Sequence, residues 1–383
     1  MRILILGNMA NDGYSVAKEM RAMGMDVDLG VNISDFGMSL PEWEDGNPSG
    51  TNPYSFAYPD IRTRWSPPEW IKYFDMLNKV PRKKARIGKA KARLNLFKLM
   101  RRYDVIEAQV PYPIYAQFSG VPYCPYDAGW VRYFPCQKGI YPWLARRAYS
   151  KAKLVMFTNP DTLGIFENLP YVDPSKLVFV PFAIDPDKYR PTNQPINDGT
   201  LRIFSPARQI WEEKGNDTMF RAFALLLDKV PNAQLTAVNW GPDVKASKQL
   251  CVDMGIADRV RWIDPVPKNE LISLYNKSDI ILDQFVLGSW GTAAPEAMSC
   301  GKPVLIHYNP QYIQKCFGSL PPMPNTKRAD HKDLFLNMLF LAKNPNEREK
   351  IGRQSRDWVI ATHHPRLVAK KHYEVLKKVC EAK

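Results

Sequence analysis

The sequence predicts an α/β protein of two domains, each built on a parallel sheet. Three observations predict it. The chain has 383 residues, too long for one ordinary domain and comfortable for two. Apolar runs of strand length alternate with segments of helical periodicity, the pattern of parallel pairing. The alternation breaks over residues 185–200 and then restarts.

Taken in order, residues 1–6 are an apolar strand and 7–13 a loop with a glycine at each end. Residues 14–23 read as a helix stopped by Gly24, and 27–31 as a second strand. Further strands are expected at 105–106, 121–126, 154–158 and 177–180. The stretch 37–70, rich in Pro, Asn, Ser and Trp, breaks the rhythm and reads as an inserted loop. Residues 185–200 are polar and proline-bearing and read as a hinge. Beyond it, strands are expected at 201–205, 235–238, 260–263, 280–285 and 304–307. A last helix near 365–380 is expected to fold back onto the first domain. The domain bounds so expected are 1–190, 191–362 and 363–383.

Apolar residues make up 45% of the chain, enough for two cores. No apolar run approaches the roughly 18 residues that a bilayer span needs. The N-terminus lacks the longer apolar region of a signal peptide, so a cytoplasmic location is expected. The six cysteines are scattered, without a closely spaced pair, which suits a reduced protein better than a disulfide frame or a zinc site. The formal charge is +14, and residues 82–102 hold ten Lys or Arg and no Asp or Glu. Such a block suits an anionic partner.

Two stretches carry the chemistry. In 201–215, a strand runs into a loop with Arg208 and Lys214, followed by a helix whose Phe220, Phe223, Ala224 and Leu227 share one face. Open parallel sheets bind ligands at the carboxyl ends of their strands. Two cations there, beside a helix N-terminus, suit a diphosphate; an ordinary solvated loop is the alternative. In 283–304, a strand leads through Gly288 and Gly291 to a short helix with Pro295 and Glu296 in its first turn. Gly301 then ends that helix, and the next strand follows Pro303. The loop amides can cradle phosphate oxygens, and Glu296 complements the helix dipole.

Together these stretches resemble the retaining family 4 glycosyltransferases of group 1, which have the GT-B architecture. Arg208 and, six residues on, Lys214-Gly215 match the family's first motif. Glu296-Ala297-Met298-Ser299-Cys300-Gly301-Lys302-Pro303-Val304 matches its second. Residues 260–267, with Glu270 and Asp279 beyond, resemble the nucleotide-facing segment. The resemblance implies two Rossmann-like domains facing across a cleft. It implies a UDP- or GDP-sugar donor, and a lipid-linked or cell-envelope glycan acceptor. It implies that Arg208 and Lys214 hold the diphosphate, that Glu296 binds the ribose, and that Val266 and Pro267 face the base. Gly291, Thr292, Ala293 and Ala294 would border the phosphates.

Two departures stand out. The family carries a second glutamate eight positions before Glu296, where it meets the transferred sugar; here that position is Gly288. Many members also place a histidine after an N-domain strand, whereas the first of the five histidines here is His307. Asp127, at a strand end in the N-domain, stands near the equivalent place, as either a sugar contact or a loop aspartate. Asn11, Asp12, Gly13 and Arg132 are further N-domain loop candidates for the acceptor. No metal or other cofactor is expected. Asp26 and Asp28 overlap a strand, Asp185 and Asp187 read as a turn, and His363 and His364 are expected at the surface.

In the basic block, Ile87, Ala90, Leu94 and Phe97 recur at roughly helical spacing. A basic amphipathic helix can lie on anionic lipid. With Trp65, Trp70, Tyr73 and Phe74 it is expected to dock the first domain peripherally on the inner membrane face; packing on its own sheet is the alternative. Rival functions are a sugar-nucleotide epimerase and a nucleotide-binding scaffold without turnover. A nucleic-acid partner is not expected, since no recognised module accompanies the charge.

Overall fold

The computed structural model describes residues 1–46, 48, 65–77, 80–81, 85–134, 137–192 and 198–381. The chain divides into two compact units: Met1–Ala183 with Pro365–Lys383, and Ile184–His364.

The first unit holds seven parallel strands: β1 (Ile3–Leu6), β2 (Val27–Asn32), β3 (Ile71–Phe74), β4 (Val105–Gln109), β5 (Tyr123–Asp127), β6 (Val155–Phe157) and β7 (Leu177–Phe179). Their order is β3-β2-β1-β4-β5-β6-β7. Ile3 of β1 pairs with Val27 on one side and Val105 on the other. All four β1 side chains are fully buried, as a central parallel strand covered on both faces requires.

β3 is a strand the alternation did not reveal, because it follows the irregular stretch 37–70. It changes the reading of four aromatics expected at a membrane. Trp70 stacks on Tyr14 at 5.7 Å, and Trp65 meets the same ring edge-on at 6.1 Å. Tyr73 donates to Glu42 Oε1 at 2.7 Å, and Phe74 packs edge-on against Tyr112. These rings close the sheet edge. Residues 47 and 49–64 of the expected insertion lie outside the described residues.

The basic helix Arg86–Met100 also faces differently from its expected stripe. Leu96 and Met100 are buried against the β1 core, with Phe97 and Leu99 partly buried beside them. Ile87 and Leu94 are 86% and 54% exposed. Arg82, Lys83 and Lys84 of the block lie outside the described residues.

The helix Pro365–Glu381 completes the first unit. Val368, Ala369, His372, Val375, Leu376 and Val379 recur at helical spacing and are buried against the helix Asp12–Ala22 and the sheet. The histidine-free first domain expected from chain order is therefore corrected. His372 enters that core from residues far along the chain, and its Nδ1 pairs with Glu107 Oε2 at 2.7 Å.

The second unit is a five-stranded parallel sheet: β8 (Leu201–Ser205), β9 (Ala233–Val238), β10 (Val260–Ile263), β11 (Ile280–Leu282) and β12 (Val304–Leu305). Its order is β10-β9-β8-β11-β12. Phe220, Phe223 and Leu226 of the helix Asn216–Leu227 fill one face. The expected hinge starts inside this unit. Ile184 donates to the His363 carbonyl at 2.9 Å, and the Tyr189 carbonyl accepts from Ser299 Oγ at 2.7 Å and Arg356 at 3.0 Å. These bonds set the division at Ala183/Ile184, where the sequence reading put it at 190. Residues 193–197 lie outside the described residues. His363, expected at the surface, is buried and stacked on Phe317 at 5.2 Å.

Candidate functional site

The second unit gathers the donor-site candidates beyond the carboxyl ends of its strands. β8 runs out at Ser205. Arg208 follows, with its guanidinium over the Trp240 ring at 5.0 Å and 3.9 Å from Glu213 Oε2. The neighbouring Gln209 is fixed from three sides. Its N–H donates to the Trp240 carbonyl at 2.7 Å, its carbonyl accepts from Asp243 N–H at 3.1 Å, and its Oε1 accepts from Ser247 Oγ. This close approach needs Gly241, whose φ is +125°; a Cβ there would lie 2.2 Å from the Gln209 oxygen.

Lys214 ends the short helix Trp211–Lys214, and Gly215 turns the chain at φ +65° into the next helix. A Cβ at Gly215 would lie 3.2 Å from that of Phe285, so the turn packs on the segment after β11. There the Lys214 ammonium donates to Gln284 Oε1, and Phe285 N–H donates to the Lys214 carbonyl at 2.8 Å. Asp283, one residue before, is buried. Burial raises its pKa; Lys214 opposes the rise and Glu296 adds to it. Lys214 and Glu296 thus both lie near enough to Asp283 to bear on its charge, with opposite signs.

Glu296 lies in the first turn of the helix Ala293–Ser299 and is almost fully buried. Its Oε1 accepts from the Lys268 ammonium and, at 3.3 Å, from Tyr189 Oη; its Oε2 accepts from Tyr275 Oη at 3.3 Å. Burial holds the Tyr275 phenol well above its usual pKa, and Glu296 adds to the rise, so the hydroxyl stays a donor. Lys268 opens the helix Lys268–Lys277 directly after Val266 and Pro267, which are half-buried in the loop beyond β10. Gly288 presents its carbonyl to Asn309 N–H at 2.9 Å. Gly291 and Thr292 are partly exposed, a Cβ on Gly291 would meet open space, and Ala293 and Ala294 open the helix. Ser289 Oγ and Asp283 Oδ2 are buried without a hydrogen-bond partner among the described residues. Sequence reasoning missed Lys268, Tyr189, Tyr275, Gln284 and Trp240. For Lys268, its position next to Pro267 was the available signal.

In the first unit the candidates are held by partners within that unit. Asp127 is fully buried and accepts from Gly129 N–H at 2.7 Å, Val131 N–H at 3.2 Å and Tyr149 Oη at 2.6 Å. Arg132 forms a two-point pair with Asp161, at 2.7 and 2.9 Å. Asn11 donates to the Met38 carbonyl and accepts from Asn8 Nδ2, both at 2.7 Å. A Cβ on Gly13 would meet the Gly7 oxygen at 2.7 Å. Asp12 is buried and accepts from Tyr126 Oη at 2.6 Å and Ala183 N–H at 3.1 Å; burial raises its pKa, against the pull of His372. Among the described residues, no group of three or more His, Cys, Asp or Glu is arranged to hold a metal ion.

Residues 190–358 match the family model "Glycosyl transferases group 1". D-inositol 3-phosphate glycosyltransferase of Corynebacterium jeikeium is 28% identical over 142 residues, 33% of this chain and 34% of that protein. The chain thus aligns with about a third of the length of such relatives. Two solved structures are similar throughout. Anabaena HepE, in complex with UDP and glucose, superposes with a TM-score of 0.75 at 13% identity, covering 99% of this chain and all of that one. Sucrose-phosphate synthase of Thermosynechococcus elongatus gives 0.69 at 16% identity, with both chains fully covered. The fold is GT-B, two Rossmann-like parallel-sheet domains.

Proposed function

We propose that the chain is a glycosyltransferase. It moves a sugar from a UDP- or GDP-linked donor to a lipid-linked or cell-envelope glycan acceptor, with retention and without a metal. The observation that carries the reading is the joint action of Lys214 and Glu296 on buried Asp283 at the end of β11, with Arg208 at the end of β8. Two cations and the carboxylate assigned here to the ribose thus belong to segments that follow the carboxyl ends of one sheet's strands. The group 1 match over residues 190–358 and the UDP and glucose bound to HepE support the same donor.

In this reading Arg208 and Lys214 hold the diphosphate, and Gln284 aims the ammonium. Glu296 takes the ribose hydroxyls in exchange for its present donors. The bond from sugar to phosphate breaks, negative charge grows on the leaving phosphate, and the two cations stabilise it as it forms. The leaving phosphate then takes the acceptor's proton as the new glycosidic bond forms on the same face. Val266 and Pro267 border the base, and Gly288, Gly291, Thr292, Ala293 and Ala294 border the phosphates and sugar. The exposed Ile87 and Leu94, set among cations, support peripheral docking on anionic lipid. Flotation with liposomes tests that docking, and indifference to anionic lipid content removes it.

Nucleoside diphosphate release from a panel of UDP- and GDP-sugars, with and without membrane lipid extract, tests the transfer itself. Release from one donor, raised by the extract and lost in Arg208→Ala, is the expected result. The absence of a side chain at Gly288 favours a second reading, a nucleotide-binding scaffold. Nucleotide binding without release from any donor would select it. An isomerised donor sugar would select the epimerase.

A further inference from the structure

The first unit contains a recess of about 350 Å³ on the face of the basic helix. Its lining combines Arg86, Lys89, Ala90 and Arg93 of that helix with Met76, Tyr115 and Tyr141. No carboxylate lines it among the described residues. Met76, Tyr115 and Tyr141 all follow the carboxyl ends of strands, β3, β4 and β5 in turn, which is the ligand-binding edge of a parallel sheet.

The three cations stand at positions i, i+3 and i+7 of one helix, so they share a face and repel one another. Burial raises the Tyr115 pKa, with the nearby Arg93 charge opposing the rise, so the phenol stays able to donate. A cluster of like charges with two hydroxyls and an apolar lining matches a small dianion on an organic body. A phosphomonoester has that form, with close to two charges at neutral pH and three acceptor oxygens. The volume lies at the low end for small-molecule sites, enough for the phosphate and a few carbons or one sugar ring.

We propose that this recess binds a phosphomonoester on the acceptor. The proposal rests on the transferase reading and names the acceptor's class. The same chemistry is offered by a soluble sugar or polyol phosphate and by a phosphatidic acid headgroup.

Titration calorimetry of the full chain with inorganic phosphate and with glycerol 3-phosphate tests the soluble arm. Flotation with phosphatidylcholine vesicles, with and without phosphatidic acid, tests the lipid arm. Binding in either arm is expected, and the arm that responds identifies the source. Arg86→Gln with Arg93→Gln should weaken it by about tenfold or more, the scale of a lost charge-assisted contact. Lys91→Gln with Lys98→Gln removes the same charge from the same helix outside the recess and should leave the calorimetric affinity for phosphate and glycerol 3-phosphate little changed. No binding in either arm overturns the proposal, and so does an equal loss in the two double variants. The measurement needs no donor. A chain that binds phosphate but releases no nucleoside diphosphate overturns the transfer reading alone; release without phosphate binding overturns this one alone.

Discussion

Asp127 ends β5 in the first unit, Glu296 sits in the helix Ala293–Ser299 beyond β11 in the second, and each is buried. Their partners differ in kind. Asp127 accepts from two amides of its own loop and from Tyr149. Among the described residues, the Glu296 carboxylate accepts from side chains of two segments, Tyr189 on one and Lys268 and Tyr275 on the helix Lys268–Lys277. Backbone amides cannot leave without unfolding the loop, whereas an ammonium and two phenols can be exchanged for ligand hydroxyls. Under the proposed reading, it is the kind of partner that leaves Glu296 open to a ligand and keeps Asp127 committed to its loop.

The two units also treat their buried histidines oppositely, and acid should break them apart most strongly. Burial lowers the His363 pKa to about 3. The unfolded chain protonates near 6.5, so the second unit loses stability as pH falls from there towards 3, by up to about 4–5 kcal/mol. At His372 burial also works against protonation, but Glu107 and Asp12 outweigh it and the pKa is raised. Its contribution is complete below the ordinary histidine value and fades as pH rises through the raised one. Amide exchange resolved by unit, at about pH 4 and 8, should show the second unit opening first in acid. The same unit opening first at both ends would contradict this.

Lys214→Ala should cost roughly 3 kcal/mol in the transfer barrier, a hundredfold or more in kcat, with the melting temperature little changed. Asp127→Ala should do the reverse. It strands Tyr149 and two amides, and about 2–3 kcal/mol of first-unit stability should go, read by thermal melting, while nucleotide affinity holds. Loss of nucleotide affinity in Asp127→Ala would erase the distinction drawn between Asp127 and Glu296. The smallest effect belongs to Trp240→Leu. It removes a ring from a partly exposed guanidinium and should weaken nucleotide binding by about 0.5–1 kcal/mol in a titration.

The fold was legible where the signal is local. Apolar runs such as Ile3–Leu6, and Gly301 ending its helix, mark elements without reference to the rest of the chain. β3 escaped because it is short, lies at an edge and follows an irregular stretch. His372 escaped because its partner is 265 residues away. In the candidate site, Arg208, Lys214 and Glu296 were singled out by the motifs that resemble the family. Lys268, Tyr189 and Tyr275 were not, since only the folded chain brings them to one carboxylate. His363 was misplaced for a related reason: its neighbours Phe317 and Trp358 lie on other turns of the second unit.

The helix Pro365–Glu381 has a consequence for how the protein is made. A ribosome delivers β1 to β7 long before it delivers the helix that covers them. Until then Glu107 stands in an open core without its cation, and the apolar side of Asp12–Ala22 is bare. The second unit has no such debt, since Ile184–His364 is continuous. During synthesis the later unit can therefore reach its native state first, and the earlier one must wait until residues 365–381 have been made.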